Sequence, residues 1–145
     1  AWVLSKVKGW EYGYKESSDH FMFRTAEAYL NAAEAAAYSG DETTARTMLK
    51  TLRDHRLKES HDVTESGKEL VDLIRRERQC ELCFEGHRWF DLRRYGMEEI
   101  KHVWYDASGN SSEYVLEKND PGFTLQLPNE AFEYNSGLEQ NEPRK

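Results

Sequence analysis

Ser66-Gly-Lys-Glu-Leu-Val-Asp-Leu-Ile-Arg-Arg-Glu-Arg-Gln-Cys-Glu-Leu-Cys-Phe-Glu-Gly-His-Arg-Trp-Phe-Asp-Leu-Arg-Arg-Tyr-Gly96 is the stretch around which this chain is organised. Ser66 followed by Glu69 has the spacing of a capping box, in which each side chain satisfies an amide of the first helical turn. Glu, Leu and Arg favour a long helix after it, and Gly96 is a natural stop. Gly86 before His87 marks a kink or restart. Leu70, Leu73, Ile74, Phe84 and Leu92 fall on one face at helical spacing. Glu77, Glu81 and Glu85 share that stripe, with Arg78 and Arg88 beside them and Asp91 further on. Charges on a core-facing stripe must pair, because unpaired buried charge is very costly.

The partners are expected upstream. Ser18 or Asp19 can cap a helix running to about Tyr38. Phe23, Ala26, Leu30, Ala33 and Ala37 lie on one side of it, and Phe21, Ala28, Ala32 and Ala35 on another. A helix apolar on two sides is sandwiched. Arg24, Glu27, Asn31 and Glu34 form a narrow polar strip between those sides. The sequence therefore nominates a structural charge network of Arg24, Glu27, Glu34, Glu77, Arg78, Glu81, Glu85, Arg88 and Asp91. Gly40 closes the helix and Asp41 caps the next, where Ala45, Met48, Leu49 and Leu52 give a one-sided stripe ending near Arg56. The short link makes an antiparallel helical hairpin of tetratricopeptide type, present in a single copy. Residues 57–65 read as a polar loop.

Elsewhere the pattern shifts. Residues 1–18 are aromatic and Gly-punctuated, with Trp10, Tyr12 and Tyr14. After Gly96, Lys101–Tyr105 and Glu113–Glu117 carry β-favouring residues around the turn-rich 106–110, which predicts a short hairpin. Residues 119–122 are a second turn. Residues 123–127 alternate like a brief strand, and the tail from Asn129 is expected to wrap over the surface before fraying.

At 145 residues, with 38% hydrophobic and 12% aromatic content, the chain is rich enough to fold. It reads as one domain, 1–145, with a helical scaffold over about 19–96 and a loop and short-strand region over 97–145. A formal charge of −7 argues against nucleic acid as partner. No apolar run is long enough to span a membrane, and no signal or lipidation motif is present.

Chemistry-bearing arrangements are few. Cys80-x-x-Cys83 has the spacing of redox and zinc motifs, but it lies inside the helix, away from a thiol-activating N-terminus, and His55 and His61 stand at no zinc-site spacing. Buried packing is therefore expected of both cysteines. Glu77, Glu81, Glu85 and Asp91 could suggest paired glycosidase carboxylates. Residues four apart on any helix are roughly 6 Å apart at Cβ, however, and neighbouring guanidiniums would keep the acids ionised, unlike a general acid. No nucleophilic triad and no phosphate loop is present. No metal and no cofactor is implied. Candidate ligand contacts are Trp104 and Tyr105 near the hairpin turn, and Trp10, Tyr12 and Tyr14, whose flat rings suit the C–H faces of pyranoses.

Residues 75–94, Arg-Arg-Glu-Arg-x-x-Glu-Leu-x-Phe-Glu-Gly-His-Arg-Trp-Phe-Asp-Leu-Arg-Arg, resemble the signature helix of the SusD/RagB family. Arg24-x-Ala26-Glu27-x-Tyr29-Leu30-x-x-Ala33-Glu34-Ala35 is similar to its preceding helix. Leu127-Pro128-x-Glu130 with Asn135, and Gln140-Asn141, resemble its C-terminal tail. The resemblance implies a mainly α fold: the tetratricopeptide-like hairpin, the long Glu/Arg-rich helix, then a short β-hairpin and loops. It implies a non-enzymatic, nutrient-binding lipoprotein of the Bacteroidetes outer membrane, binding an oligosaccharide or another, peptide-like nutrient and delivering it to a SusC-like TonB-dependent transporter. The chain would be the C-terminal portion, with membrane attachment only through a lipid anchor further upstream. The alternative is a free-standing helical-repeat adaptor that binds another protein.

Overall fold

The computed structural model describes residues 23–143. The aromatic segment with Trp10, Tyr12 and Tyr14, and the helix start expected at Ser18 or Asp19, lie outside the described residues. The described fold is mainly α with one small antiparallel sheet, and the chain divides into two compact units between His87 and Arg88.

In the first unit, α1 (Thr25–Ser39), α2 (Glu42–Asp54) and α3 (Gly67–Glu81) pack together. Arg24 is extended, so the described helix begins at Thr25. At the other end Gly40 takes φ +85°, a left-handed turn that a side chain would resist, and its amide closes on the Ala36 and Ala37 carbonyls. Asp41 then caps α2 by accepting the Thr44 N–H at 3.0 Å. The core joins Ala26, Leu30 and Ala33 of α1 to Ala45, Leu49 and Leu52 of α2 and to Leu70 and Ile74 of α3, with Val63 and Leu82 closing it. Burying each leucine contributes roughly 1.5–3 kcal/mol, and the core alanines let the helices approach closely. The second side expected of α1 is not sandwiched among the described residues, since Ala28, Ala32 and Ala35 are exposed; Phe23, expected on the first side, precedes the helix and is 90% exposed.

The capping box does not form. Ser66 makes no side-chain cap bond; the Gly67 N–H instead donates to Glu42 Oε1 at 2.7 Å. A carboxylate from the first turn of α2, itself bonded to Arg46, thus satisfies the first amide of α3. Ser66→Ala is expected to change stability by less than about 0.5 kcal/mol, whereas Glu42→Ala should cost about 1 kcal/mol, as loss of a cap does. Thermal unfolding of the two variants checks this ordering.

The 66–96 stretch is two helices. α3 ends at Glu81, residues 82–86 turn, and α4 (His87–Arg94) restarts after Gly86, whose φ of +83° turns the chain. The break redirects Phe84: it adopts φ +64° and is 68% exposed, and Leu82 is buried in its place. The expectation of a core Phe84 is corrected, because a helical face has no meaning once the helix stops. A left-handed phenylalanine with little burial is strained, so Phe84→Gly should raise stability by about 0.5–1 kcal/mol. A core phenylalanine would instead lose about 3 kcal/mol or more on truncation. Denaturant unfolding distinguishes the signs. Cys80 and Cys83, expected to be buried, are both exposed at this same break.

In the second unit, β1 (Ile100–Tyr105) pairs antiparallel with β2 (Ser111–Leu116), Ile100 opposite Leu116 and Tyr105 opposite Ser111. Trp89 stacks on the fully buried Phe123 with centroids 5.6 Å apart. The brief strand expected at 123–127 is absent. Pro121–Phe123 form a 3-10 turn capped by Asp120, which accepts the Gly122 N–H at 2.6 Å. After α5 (Asn129–Tyr134), the tail returns to the backbone through side chains. Gln140 exchanges two hydrogen bonds with the Leu127 backbone (2.8 and 3.0 Å), and Asn141 Nδ2 donates to the Leu125 carbonyl at 2.7 Å. The amides imitate a missing strand, which gives a physical reason for Gln140-Asn141 to accompany Leu127-Pro128.

Candidate functional site

The described residues nominated from sequence fall in two places: the charge cluster of the first unit and the hairpin of the second. Glu81 is the centre of the cluster. Arg24 donates to its carboxylate at 2.8 Å and to its backbone carbonyl at 2.9 Å. Arg56 reaches the same carboxylate through Nε and Nη2 at 3.0–3.1 Å. Arg24 also pairs with Glu85 at 3.0 Å. Arg78, only 5% exposed, donates to Asn31 at 2.8 Å and lies 3.7 Å from Glu27, which His87 also approaches at 3.7 Å. Glu34 is buried nearby on α1. Glu77 pairs instead with Arg53 of α2 at 3.0 Å.

Of the remaining nominated residues, Arg88 is exposed, and Asp91 is buried and pairs with Arg94 on its own helix at 2.9 Å; both belong to the second unit. Sequence reasoning missed Arg53 and Arg56. Their place at the end of an amphipathic helix carried no signal of what they would face.

The electrostatics follow from the contacts. Burial by itself would lift the Glu81 pKa; hydrogen bonds and attraction from Arg56, with Arg24 added, outweigh it and hold the carboxyl below the ordinary glutamate value. The same contact raises Arg56. A carboxylate held ionised by two guanidiniums is unsuited to donate a proton to a leaving group. A cleft of about 290 Å³ opens beside this cluster, with Thr25 and Tyr29 of α1 facing Thr51, His55 and Arg56. Two of its polar groups are already engaged, His55 Nδ1 lying 2.7 Å from the Thr51 carbonyl and Arg56 bound to Glu81. Among the described residues no group of three or more His, Cys, Asp or Glu is placed to hold a metal ion, and no helix is long and apolar enough to cross a membrane.

The hairpin places Trp104 and Tyr105 differently from one another. Successive strand residues point to opposite faces. Trp104 shares a face with Ile100, His102, Ser112, Tyr114 and Leu116; Tyr105 shares the other with Lys101, Val103, Ser111, Glu113 and Val115. The two nominated aromatics therefore cannot stack on one ligand surface together. His102 and Tyr114, which sequence reasoning passed over, lie on the Trp104 face. Strand alternation was the signal that could have found them. The hairpin is fixed at both ends. At its tip Asp106 accepts from the Ser108 and Asn110 amides and from Asn110 Nδ2, each at 2.8 Å, and these bonds, Asn110's foremost, lower its pKa. At its base the Asn119 N–H donates to the Met97 carbonyl at 3.0 Å and Lys118 pairs with Glu98 at 2.6 Å.

The family model described as the SusD family matches residues 3–143. The chain belongs to the SusD family. It is 28% identical to the SusD-like protein P2 of Formosa agariphila, over 90% of this chain and 27% of that protein. A crystal structure of a SusD-like protein from Bacteroides fragilis superposes with a TM-score of 0.64 at 31% identity, covering 90% of this chain and 27% of that one. A SusD-like carbohydrate binding protein from Bacteroides vulgatus shares the fold, with a TM-score of 0.60 at 22% identity over 83% of this chain and 30% of its own. The chain thus spans about 27% of the length of the curated relative.

Proposed function

We propose that this chain serves non-enzymatic glycan binding at the outer membrane, as part of a lipid-anchored surface protein that hands an oligosaccharide to a TonB-dependent transporter. The observation that carries the reading is the family match over residues 3–143, which takes in the charge cluster, the hairpin and the tail alike. A helical-repeat adaptor would account for the helices but not for the segment after Gly96. The solved relative from Bacteroides vulgatus is described as carbohydrate binding, which supports a glycan as ligand. Exposed aromatic rings on the hairpin suit sugar faces, and an ionised, doubly clamped Glu81 suits a scaffold rather than a hydrolase. The first unit is the scaffold in this reading, and its Glu/Arg cluster is the clamp that holds α1, α2 and the end of α3 together.

Electrophoresis of the chain through native gels containing a neutral polysaccharide tests the reading. Retardation that grows with polysaccharide concentration, and that free oligosaccharide reverses, is the expected result. Unchanged mobility across a panel of glycans would count against it.

A further inference from the structure

A two-stranded hairpin exposed along most of both strands is marginal in water by itself, so what its faces display asks for a reason. We propose that the face carrying His102, Trp104 and Tyr114 is a stacking platform for neutral saccharides. The inference rests on the glycan-binding reading above and deepens it by naming the surface and the ligand class.

The register makes the platform contiguous. His102 lies directly opposite Tyr114, and Trp104, opposite Ser112, is the diagonal neighbour of Tyr114. Directly opposed side chains on one face stand about 5 Å apart and diagonal ones about 7–8 Å, within reach of aromatic rings. Trp104 is 52% exposed and Tyr114 53% exposed, so both rings present surface to solvent. Half-buried Ile100 and Leu116 close the base end of the same face.

Composition selects the ligand. Flat rings interleaved with a hydroxyl (Ser112), a phenol (Tyr114) and an imidazole (His102) match a pyranose, which offers a C–H face and a rim of hydroxyls. Charge narrows it further. The lysine and the glutamate of the two strands, Lys101 and Glu113, both lie on the opposite face, while the Asp106 carboxylate is spent on the turn. No Lys, Arg, Asp or Glu of the two strands lies on the platform face, and the formal charge of the chain as a whole is −7. Neither strand places a lysine or arginine on this face to compensate a sulfate or a uronate, so the geometry points to an uncharged glycan. The hydrogen-bonded tip and base preorganise the strands, so little ordering cost falls on binding.

The test titrates the full chain with neutral oligosaccharides and with a sulfated counterpart, by calorimetry and by tryptophan emission. The neutral ligands are expected to bind and the sulfated one to bind more weakly. Trp104→Ala should weaken neutral binding by roughly tenfold or more, equivalent to about 1.4 kcal/mol. Tyr114→Ala should weaken it less, and Val103→Thr on the opposite face should leave it unchanged. Trp104→Phe keeps a ring, so it should retain most of the affinity but lose the ligand-induced change in emission. Wild-type affinity in Trp104→Ala, with an unchanged emission response in Trp104→Phe, would overturn the platform while leaving glycan binding standing. Preference for the sulfated ligand would overturn the ligand class. Failure of the wild-type chain to bind any neutral glycan would overturn the proposal together with the reading beneath it.

Discussion

Glu81→Gln is expected to destabilise the folded chain by about 2–3 kcal/mol while abolishing no chemistry. The substitution keeps the shape but removes the charge that Arg24 and Arg56 share, and leaves two guanidiniums facing an amide with one acceptor oxygen in place of two and an NH2 group that repels them. The pair is partly solvated, with the Glu81 side chain 14% exposed, so the loss falls below that of a fully buried ion pair. The effect has a defined pH dependence. The folded Glu81 pKa is depressed, so its stabilisation is present above the unfolded value, about 4.3 for glutamate, and is lost as pH falls through the folded value. Wild type should therefore lose its advantage over Glu81→Gln progressively below about pH 4.3. Chemical unfolding of both proteins at pH 7 and along a descending pH series measures this. A constant difference down to the acid limit, or none at pH 7, would mean that the cluster contributes nothing through charge.

Leu30→Ala should cost more, about 3–4 kcal/mol, lowering the melting temperature by on the order of 10 °C or more. Leu30 has no solvent exposure and belongs to the cluster that α1 shares with α2 and α3. Truncation removes its contacts with both partners, and the neighbouring helices, fixed by the Gly40 turn and by the Arg24–Glu81 pair, cannot collapse into the space. Ala32→Ser on the exposed side of the same helix should stay within about 0.5 kcal/mol, so the contrast within α1 is the informative quantity.

The architecture was legible in proportion to how local its causes are. Ala45, Leu49 and Leu52 state a helical face by spacing alone, Asp41 and Gly40 punctuate by their own chemistry, and the β-hairpin announces itself by two β-rich runs about a turn. Long-range competition was not legible. Ser66 makes no side-chain cap bond, and the first amide of α3 is instead satisfied by Glu42, which lies 25 residues away along the chain. The strand expected at 123–127 gave way to a 3-10 turn, because Phe123 is buried against Trp89 and the Gln140 and Asn141 amides take the backbone bonds of 125–127. The turn that ends α3 leaves Cys83 and Phe84 exposed, and Cys80 is exposed on the last turn of α3 itself, although the apolar character of all three argued for burial.

The candidate site divides the same way. That Glu77, Glu81 and Glu85 need cations was readable from their stripe. Which cations reach them is a property of helix crossings, and Arg53 and Arg56 of α2 carry no mark of it in sequence. On the hairpin, adjacency in sequence placed Trp104 beside Tyr105, whereas strand alternation separates them and gathers Trp104 with His102 and Tyr114. Side-chain periodicity of two, applied once the strand was drawn, contained that information.

The proposed function is that of a protein that holds glycans without changing them. It is tested by incubating the full chain with a neutral oligosaccharide, recording the heat of binding and the saccharide profile by chromatography over time. The account predicts saturable heat with an unaltered profile at every time point. Shortened saccharides that accumulate with the wild-type chain but not with Glu81→Gln would contradict it, and would turn the clamped carboxylate into a catalyst.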